Sequence, residues 1–203
     1  MSSAYEITGR RRQKARTRNA MLGAARELLA EGDLPTVERV AERAGVSRST
    51  AYRYFPNQHL LMMAAYPRAD AGPAFAQRAL EDPVARLDVA LDHIERVLRD
   101  HEPELRAMLR LALDPSVAPE ALVLRQGRAI RWIEDALEPL RAQGIGGKSL
   151  RRLAIAIRAA FGIEPLVWLT DVASLDRDAA FEVMRSTAHV LLRDALGTVA
   201  RAG

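Results

Sequence analysis

The stretch from Val37 to Phe55 reads VERVAERAGVSRSTAYRYF, and its spacing decides the fold. Val37, Val40, Ala41 and Ala44 follow the i, i+3, i+4, i+7 pattern of one buried helical face. Thr36 stands where an N-cap belongs, and Glu38 in the first turn suits the positive end of the helix dipole. Gly45 closes this helix, because a residue without Cβ takes a positive φ at no steric cost. Val46 would fill the angle before a second helix, capped by Ser47 and running from Arg48 to about Phe55. Ala51 and Phe55, with part of Tyr54, face inward, and Arg48, Ser49, Thr50, Tyr52 and Arg53 are left outward. Pro56-Asn57 ends the run and offers a new N-cap at Asn57. Two short helices around a tight turn, the second opening with small polar residues and carrying arginines and tyrosines, have the layout of a helix-turn-helix. Such a unit lays its second helix in the major groove of DNA. Two ordinary amphipathic helices in an all-α core would share the same periodicity, so the flanking sequence has to decide.

The charge is lopsided in the direction that nucleic acid requires. Residues 1–60 hold 11 Lys+Arg against 6 Asp+Glu, whereas the remaining 143 hold 19 against 20. Arg10, Arg11, Arg12, Lys14, Arg16 and Arg18 lie in a stretch with no acid between Ile7 and Arg26. A basic arm beside a DNA-reading fold can contact phosphates or enter a minor groove. Arg16 and Arg18, nearest the motif, are the expected phosphate neighbours, and Met1–Thr8 reads as a solvated tail.

Arg18 to Leu61 resembles the N-terminal domain of TetR-type transcriptional regulators. The resemblance is carried by a first helix from Asn19 to Gly32, Thr36, Val40-Ala41, Ala44-Gly45-Val46-Ser47, Tyr52, Tyr54-Phe55 and Leu60-Leu61. It implies that Thr50, Tyr52 and Tyr54 hold phosphates and that Arg48, Ser49 and Arg53 reach base edges. Thr36, Ser47, Gln58, Arg16 and Arg18 complete the expected DNA-binding set. The chemistry agrees: arginine bonds guanine O6 and N7 in a bidentate fork, and Thr and Tyr hydroxyls suit single phosphate oxygens. Two places depart from the family pattern, residues 58–59 and residue 51. Gln58 stands where many members carry a lysine, and Ala51 replaces a leucine or isoleucine. His59 follows where an acid is common.

Beyond Asn57 the chain reads as helix throughout. Segments are expected at 57–68, 83–99, 103–114, 119–143, 148–172 and 178–196, with 71–73 and 144–147 as breaks. Val84, Leu87, Leu91, Ile94 and Leu98 form a seam in steps of three and four. Gly162 and Pro165 should kink the penultimate helix, and the last two helices carry more apolar residues than one buried stripe needs. A homodimer through those two helices is therefore expected, as the resemblance also implies. The resemblance further implies a small-molecule effector among the central helices. Leu91, Ile94, His101, Met108, Trp132, Phe161 and Trp168 are the candidate lining, though each also fits a place in the core.

Enzyme signatures are missing from the sequence: no G-x-S-x-G, no P-loop, no dinucleotide-binding glycines. No metal or cofactor is expected, since there is no cysteine and no two histidines stand i, i+4 apart. The absence of cysteine, of an 18-residue apolar run and of a signal-peptide pattern points to the cytoplasm rather than a membrane. The expectation is an all-α chain of two domains. Residues 1–60 would be the three-helix DNA-binding domain with its basic arm, and 61–203 the helical dimerisation and ligand-sensing domain. The partner is a double-stranded, two-fold-symmetric operator, and the function a repressor released by a small molecule. A DNA-binding regulator or architectural protein without a ligand remains the alternative.

Overall fold

The computed structural model describes residues 3–65, 81–114 and 128–202, and the regular elements among them are all helical. The chain divides into two compact units, Met1–Arg68 with Pro103–Val123, and Ala69–Glu102 with Leu124–Gly203. The boundary expected at residue 60 therefore misses a segment, because the helix from Glu102 to Ala112 gives its body to the first unit.

In the first unit, α1 (Ser3–Ala30) buries Met21, Leu22, Ala24, Ala25, Leu28 and Leu29 along one stripe. The basic stretch is thus the first half of a continuous helix rather than a separate arm, and the backbone of residues 3–8, read from sequence as a tail, is helical too. Arg11, Arg12, Lys14, Arg16 and Arg18 are exposed on it. Helix α2 (Val37–Arg43) turns into α3 (Arg48–Tyr54), and α4 (Gln58–Ala65) follows. Asn57 caps α4 as its sequence position suggested, its Oδ1 accepting from the Leu60 N–H at 2.8 Å. At the other end of α4, Arg26 on α1 donates from Nε to the Ala65 carbonyl at 3.1 Å.

The second unit begins with α5 (Pro83–Asp100), whose N-cap Asp82 accepts from the amides of Val84 and Ala85 at 3.3 and 3.0 Å. Pro83 sits in the first turn, where its missing N–H costs nothing. Leu87, Leu91, Ile94 and Leu98 are buried as the seam predicts, and Val84 at its start is half-buried. Helix α6 (Glu102–Ala112) belongs, from Pro103 on, to the first unit, where Ala107, Met108 and Leu111 join the core of α1–α4. Arg110 on α6 donates to the Gly32 carbonyl at the end of α1 at 2.9 Å.

Helix α7 is described over Arg128–Ala136 and gives way to a 3-10 turn at Glu138–Arg141, so the helix expected to reach residue 143 stops earlier. Pro139 opens that turn and accounts for the change. The part of that expected helix over 119–127, and the break at 71–73, lie outside the described residues. Helix α8 (Gly147–Ala160) ends at Phe161-Gly162, and α9 (Ile163–Val167) runs into a π-helical turn at Trp168–Val172. The single kinked helix expected over 148–172 is therefore two. Pro165 does not kink it: as the third residue of α9, its missing amide is one that has no partner within a helix anyway. Helix α10 (Arg177–Ala202) completes the unit. Helix α8 packs against α7 and α10, and α5 packs against α7.

Gly147–Val172 is, by length and mean hydropathy of 1.5, the one segment among the described residues apolar enough to cross a membrane. Its interruption at Phe161-Gly162, and the burial of Leu150, Ala154, Ile157, Phe161 and Leu166 within the protein, make it a core segment of the second unit.

Candidate nucleic-acid interface

The turn between α2 and α3 is built from backbone. Gly45 has φ +65°, and its N–H donates to the Glu42 carbonyl at 3.1 Å while the Val46 N–H donates to Ala41 at 2.9 Å. These are the two bonds of a left-handed helix stop, which satisfies carbonyls that would otherwise be orphaned. Val46 packs on the core as predicted. Ser47 then starts α3, accepting from the Thr50 N–H at 3.3 Å. Its own hydroxyl donates to Thr50 Oγ1 at 2.9 Å. The Thr50 hydroxyl, acting as acceptor there, keeps its own hydrogen for an outward partner. Thr36 likewise caps α2, accepting from the Arg39 N–H at 3.2 Å. The structure thus places Thr36 and Ser47 as caps that shape the surface.

Helix α3 buries Ala51 fully and leans on the buried Phe55 just beyond its end. Arg48, Ser49, Tyr52 and Arg53 are exposed, and Thr50 and Tyr54 are half-buried. Arg53 lies over the Tyr54 ring at 6.0 Å, and Arg18 reaches over Phe55 at 5.7 Å, bringing α1 to the C-terminal end of α3. Arg16 is exposed two residues away on α1, and Gln58 is half-buried at the start of α4. The other arginines of the motif are tied to acids of the first unit. Arg39 pairs with Asp33 at 2.8 Å, and Arg43 forks onto Glu31 at 2.9 and 3.1 Å. The Glu31 hydrogen bond pulls its carboxyl below the usual range and raises the Arg43 guanidinium correspondingly.

One contact has no signal in the periodicity. The Tyr52 hydroxyl on α3 donates to the Glu38 carboxylate on α2. That bond holds the Glu38 carboxyl below its ordinary range, with its backbone, Thr36 and Arg48 acting the same way, and it pushes the Tyr52 phenol up. The sequence offers Glu38 only as a dipole partner. Its meeting with Tyr52 depends on how the turn folds α3 back over α2.

The seven candidate ligand residues do not form one set. Met108 lies in the core of the first unit. Trp168 is 58% exposed, so its expected inward orientation is corrected: it stands two residues after the buried Leu166, on the far side of the helix. Leu91, Ile94 and Phe161 are buried in the second unit, with Phe161 and Phe181 ring centroids 6.1 Å apart. Trp132 is half-buried, edge-on to His93 at 4.5 Å, and His101 is the C-cap of α5, its N–H donating to Val97 at 3.1 Å. His93, whose Nε2 is buried without a hydrogen-bond partner, was not singled out from sequence. Among the described residues no cluster of His, Cys, Asp or Glu has the make-up of a metal site.

Residues 21–64 match the model of the bacterial regulatory proteins of the tetR family. The N-terminal domain is of the tetR type. Solved structures extend the likeness in fold over most of the chain. NalD of Pseudomonas aeruginosa, described as the secondary repressor of the MexAB-OprM multidrug efflux pump, is 23% identical, with a TM-score of 0.57 over 90% of this chain and 96% of its own. A HlyIIR mutant protein is 15% identical, with a TM-score of 0.56 over 85% and 97%. SmeT, solved in complex with triclosan, is 19% identical, with a TM-score of 0.54 over 88% and 90%. At these identities the likeness is one of fold. No curated protein sequence matches the chain.

Proposed function

We propose that this TetR-type regulator is a sequence-specific repressor that binds a two-fold-symmetric operator as a homodimer and is released by a small organic effector. The observation that carries the DNA-binding part is the composition of α3: its inward face is a single buried alanine, while Arg48, Ser49, Tyr52 and Arg53 stand exposed beside a Thr50 hydroxyl with a hydrogen to give. Arg48 or Arg53 reads a guanine, and Thr50, Tyr52 and Tyr54 hold phosphates, with Arg16, Arg18 and Gln58 alongside. The test is selection of bound duplexes from a random pool at about physiological salt. An enriched site with two-fold symmetry supports the reading, and salt-sensitive binding without symmetry refutes it.

The dimer reading is supported by apolar side chains left exposed on the last helices. Ile155 on α8, Trp168 and Val172 on the π turn, and Val183 and Val190 on α10 are 45–67% exposed. A self-complementary face uses each of them twice. A Trp buries up to about 250 Å², so 58% of it is about 140 Å², worth about 3.5 kcal/mol at 25 cal/mol/Å². Trp168→Asp should therefore weaken self-association at least 100-fold by sedimentation equilibrium, and an unchanged dimer would move the interface elsewhere. The effector reading draws on SmeT with triclosan and on NalD as an efflux-pump repressor. Leu91, Ile94, Trp132 and Phe161, with His93 and His101 as polar handles, are its candidate lining. A small molecule that binds this protein tightly and leaves operator affinity unchanged would exclude release by ligand.

A further inference from the structure

Tyr52 has one hydroxyl hydrogen, and the folded chain already gives it away. The acceptor is the carboxylate of Glu38, in the first turn of α2, and Arg48 on α3 lies close enough to lower the Glu38 carboxyl as well. A DNA phosphate oxygen only accepts, so a duplex that uses Tyr52 must take the hydrogen that Glu38 holds. The two acceptors also carry like charges. A carboxylate and a phosphate meeting at one hydroxyl would lie within about 5–6 Å of each other, where repulsion is significant at a protein surface and is screened by salt.

Glu38 is not held there by anything stronger than these partners. It is only partly buried, at the second position of α2, and its neighbours Arg39 and Arg43 are engaged by Asp33 and Glu31 instead. Its side chain can swing away without opening the core, because Val37, Val40 and Ala41 fill that role in α2. The carboxylate thus copies what a phosphate would do for Tyr52: accept from the hydroxyl, carry negative charge beside Arg48, and keep the ring in one orientation.

We propose that Glu38 is an internal stand-in for a DNA phosphate, holding the Tyr52 hydroxyl in the free protein and giving way to the duplex on binding. It is a positioning residue that sets affinity for any duplex rather than for one base sequence. The inference rests on the DNA-binding reading of α3. It predicts a gain on removing the charge, which a purely structural acid would not give.

The test uses the full-length protein and the variants Glu38→Gln and Tyr52→Phe, alone and together, on a selected duplex and on an unrelated one. Melting curves and helical content confirm that each variant folds. Glu38→Gln should bind both duplexes roughly three- to thirty-fold more tightly at low salt, with the gain shrinking as salt rises. The preferred sequence should stay the same. In the Tyr52→Phe background the gain should be smaller, because there is no hydroxyl to release. Equal or weaker binding by Glu38→Gln overturns the inference, and so does a changed base preference, which would make Glu38 a reader of cytosine. A full gain retained without the hydroxyl also overturns it, leaving only charge repulsion. An unaltered protein that binds no duplex at all would overturn the DNA-binding reading as well.

Discussion

Replacing Gly45 by alanine and Gly23 by alanine should shift stability in opposite directions, although neither new methyl touches anything. A Cβ built on either glycine meets nothing within 4 Å beyond its chain neighbours and, for Gly23, its own helix backbone. The difference is conformation. Gly45 has φ +65° at the α2–α3 turn, whereas Gly23 lies inside α1 with ordinary helical dihedrals. A left-handed residue with a side chain costs about 1–2 kcal/mol, and stiffening of the unfolded chain returns about 0.4–1 kcal/mol of that. Gly45→Ala should therefore lose about 0.8 kcal/mol, and no more than about 1.6 kcal/mol. In the helix interior there is no strain to offset, and Gly23→Ala should gain about 0.5–1 kcal/mol. Gly45→Asn should fall between alanine and the unaltered protein, since asparagine tolerates the left-handed region. Denaturant unfolding followed by helical circular dichroism measures all three against the same baseline. Gly45→Ala should also weaken duplex binding by more than its stability loss, because the turn it strains aims α3. A Gly45→Ala protein as stable as the original would show that the turn does not need its left-handed glycine. A destabilised Gly23→Ala would show that α1 is crowded where the structure has open space.

Three further outcomes follow from particular residues. Arg53→Ala or Arg48→Ala should cost about 1–3 kcal/mol of operator affinity and relax one base position, read by repeating the duplex selection; uniform weakening without relaxation would make the residue a phosphate contact instead. Phe161→Ala removes a ring with no exposed surface from the second unit, and should lower the unfolding free energy by about 3–5 kcal/mol. Burial pushes the imidazoles of His59 and His93 below their ordinary 6.5, with Arg96 adding to the effect at His93. The unfolded chain then binds more protons below that value, so stability present above about pH 6.5 should be lost as pH falls below it. His59→Gln should flatten that slope in pH-dependent unfolding, and an unchanged slope would mean that His59 titrates normally.

The sequence spoke most clearly where a residue type has one conformational use. Gly45, Ser47, Asn57 and Thr36 name turns and caps by their chemistry, and each stands in the structure where that chemistry puts it. The seam from Leu87 to Leu98 was legible for the same reason, since a step of three or four admits one face. What periodicity could not show was which unit a helix serves. Ala107, Met108 and Leu111 are an ordinary amphipathic stripe, and nothing in it distinguishes the core of α1–α4 from that of the central helices. The basic stretch before Asn19 misled in another way. Its charge pattern suits a tail as well as a helix, and the continuous α1 is decided by backbone propensity rather than by burial. Trp168 faces outward because the buried stripe after the Phe161-Gly162 break runs Ile163, Leu166 and Leu169, and Trp168 lies off it, whereas the expected inward face assumes one unbroken helix over 148–172. Glu38 escaped because its partner is 14 residues away across a turn.

Helix α3 separates stability from recognition to an unusual degree. It has seven residues, too few to hold a helix alone, and only Ala51 among them is fully buried. Its position comes from residues that never meet DNA: the Gly45 stop, the Ser47 cap, Ala51 against the core, and Phe55 beyond the C-terminal end. The alanine matters here. A larger side chain at a site with no exposed surface would have to be accommodated by its neighbours, at about 1–3 kcal/mol in a core already filled by Met21, Leu28, Leu61 and Met62. The small residue fills its place without any exposed surface. Arg48, Ser49 and Arg53 carry none of that burden. Exchanging them should alter the preferred operator while moving the unfolding free energy by no more than about 0.5 kcal/mol. A variant at Arg48 or Arg53 that melts early would show the two faces to be coupled, and the natural suspect would be the Glu38–Tyr52–Arg48 cluster that joins α2 to α3.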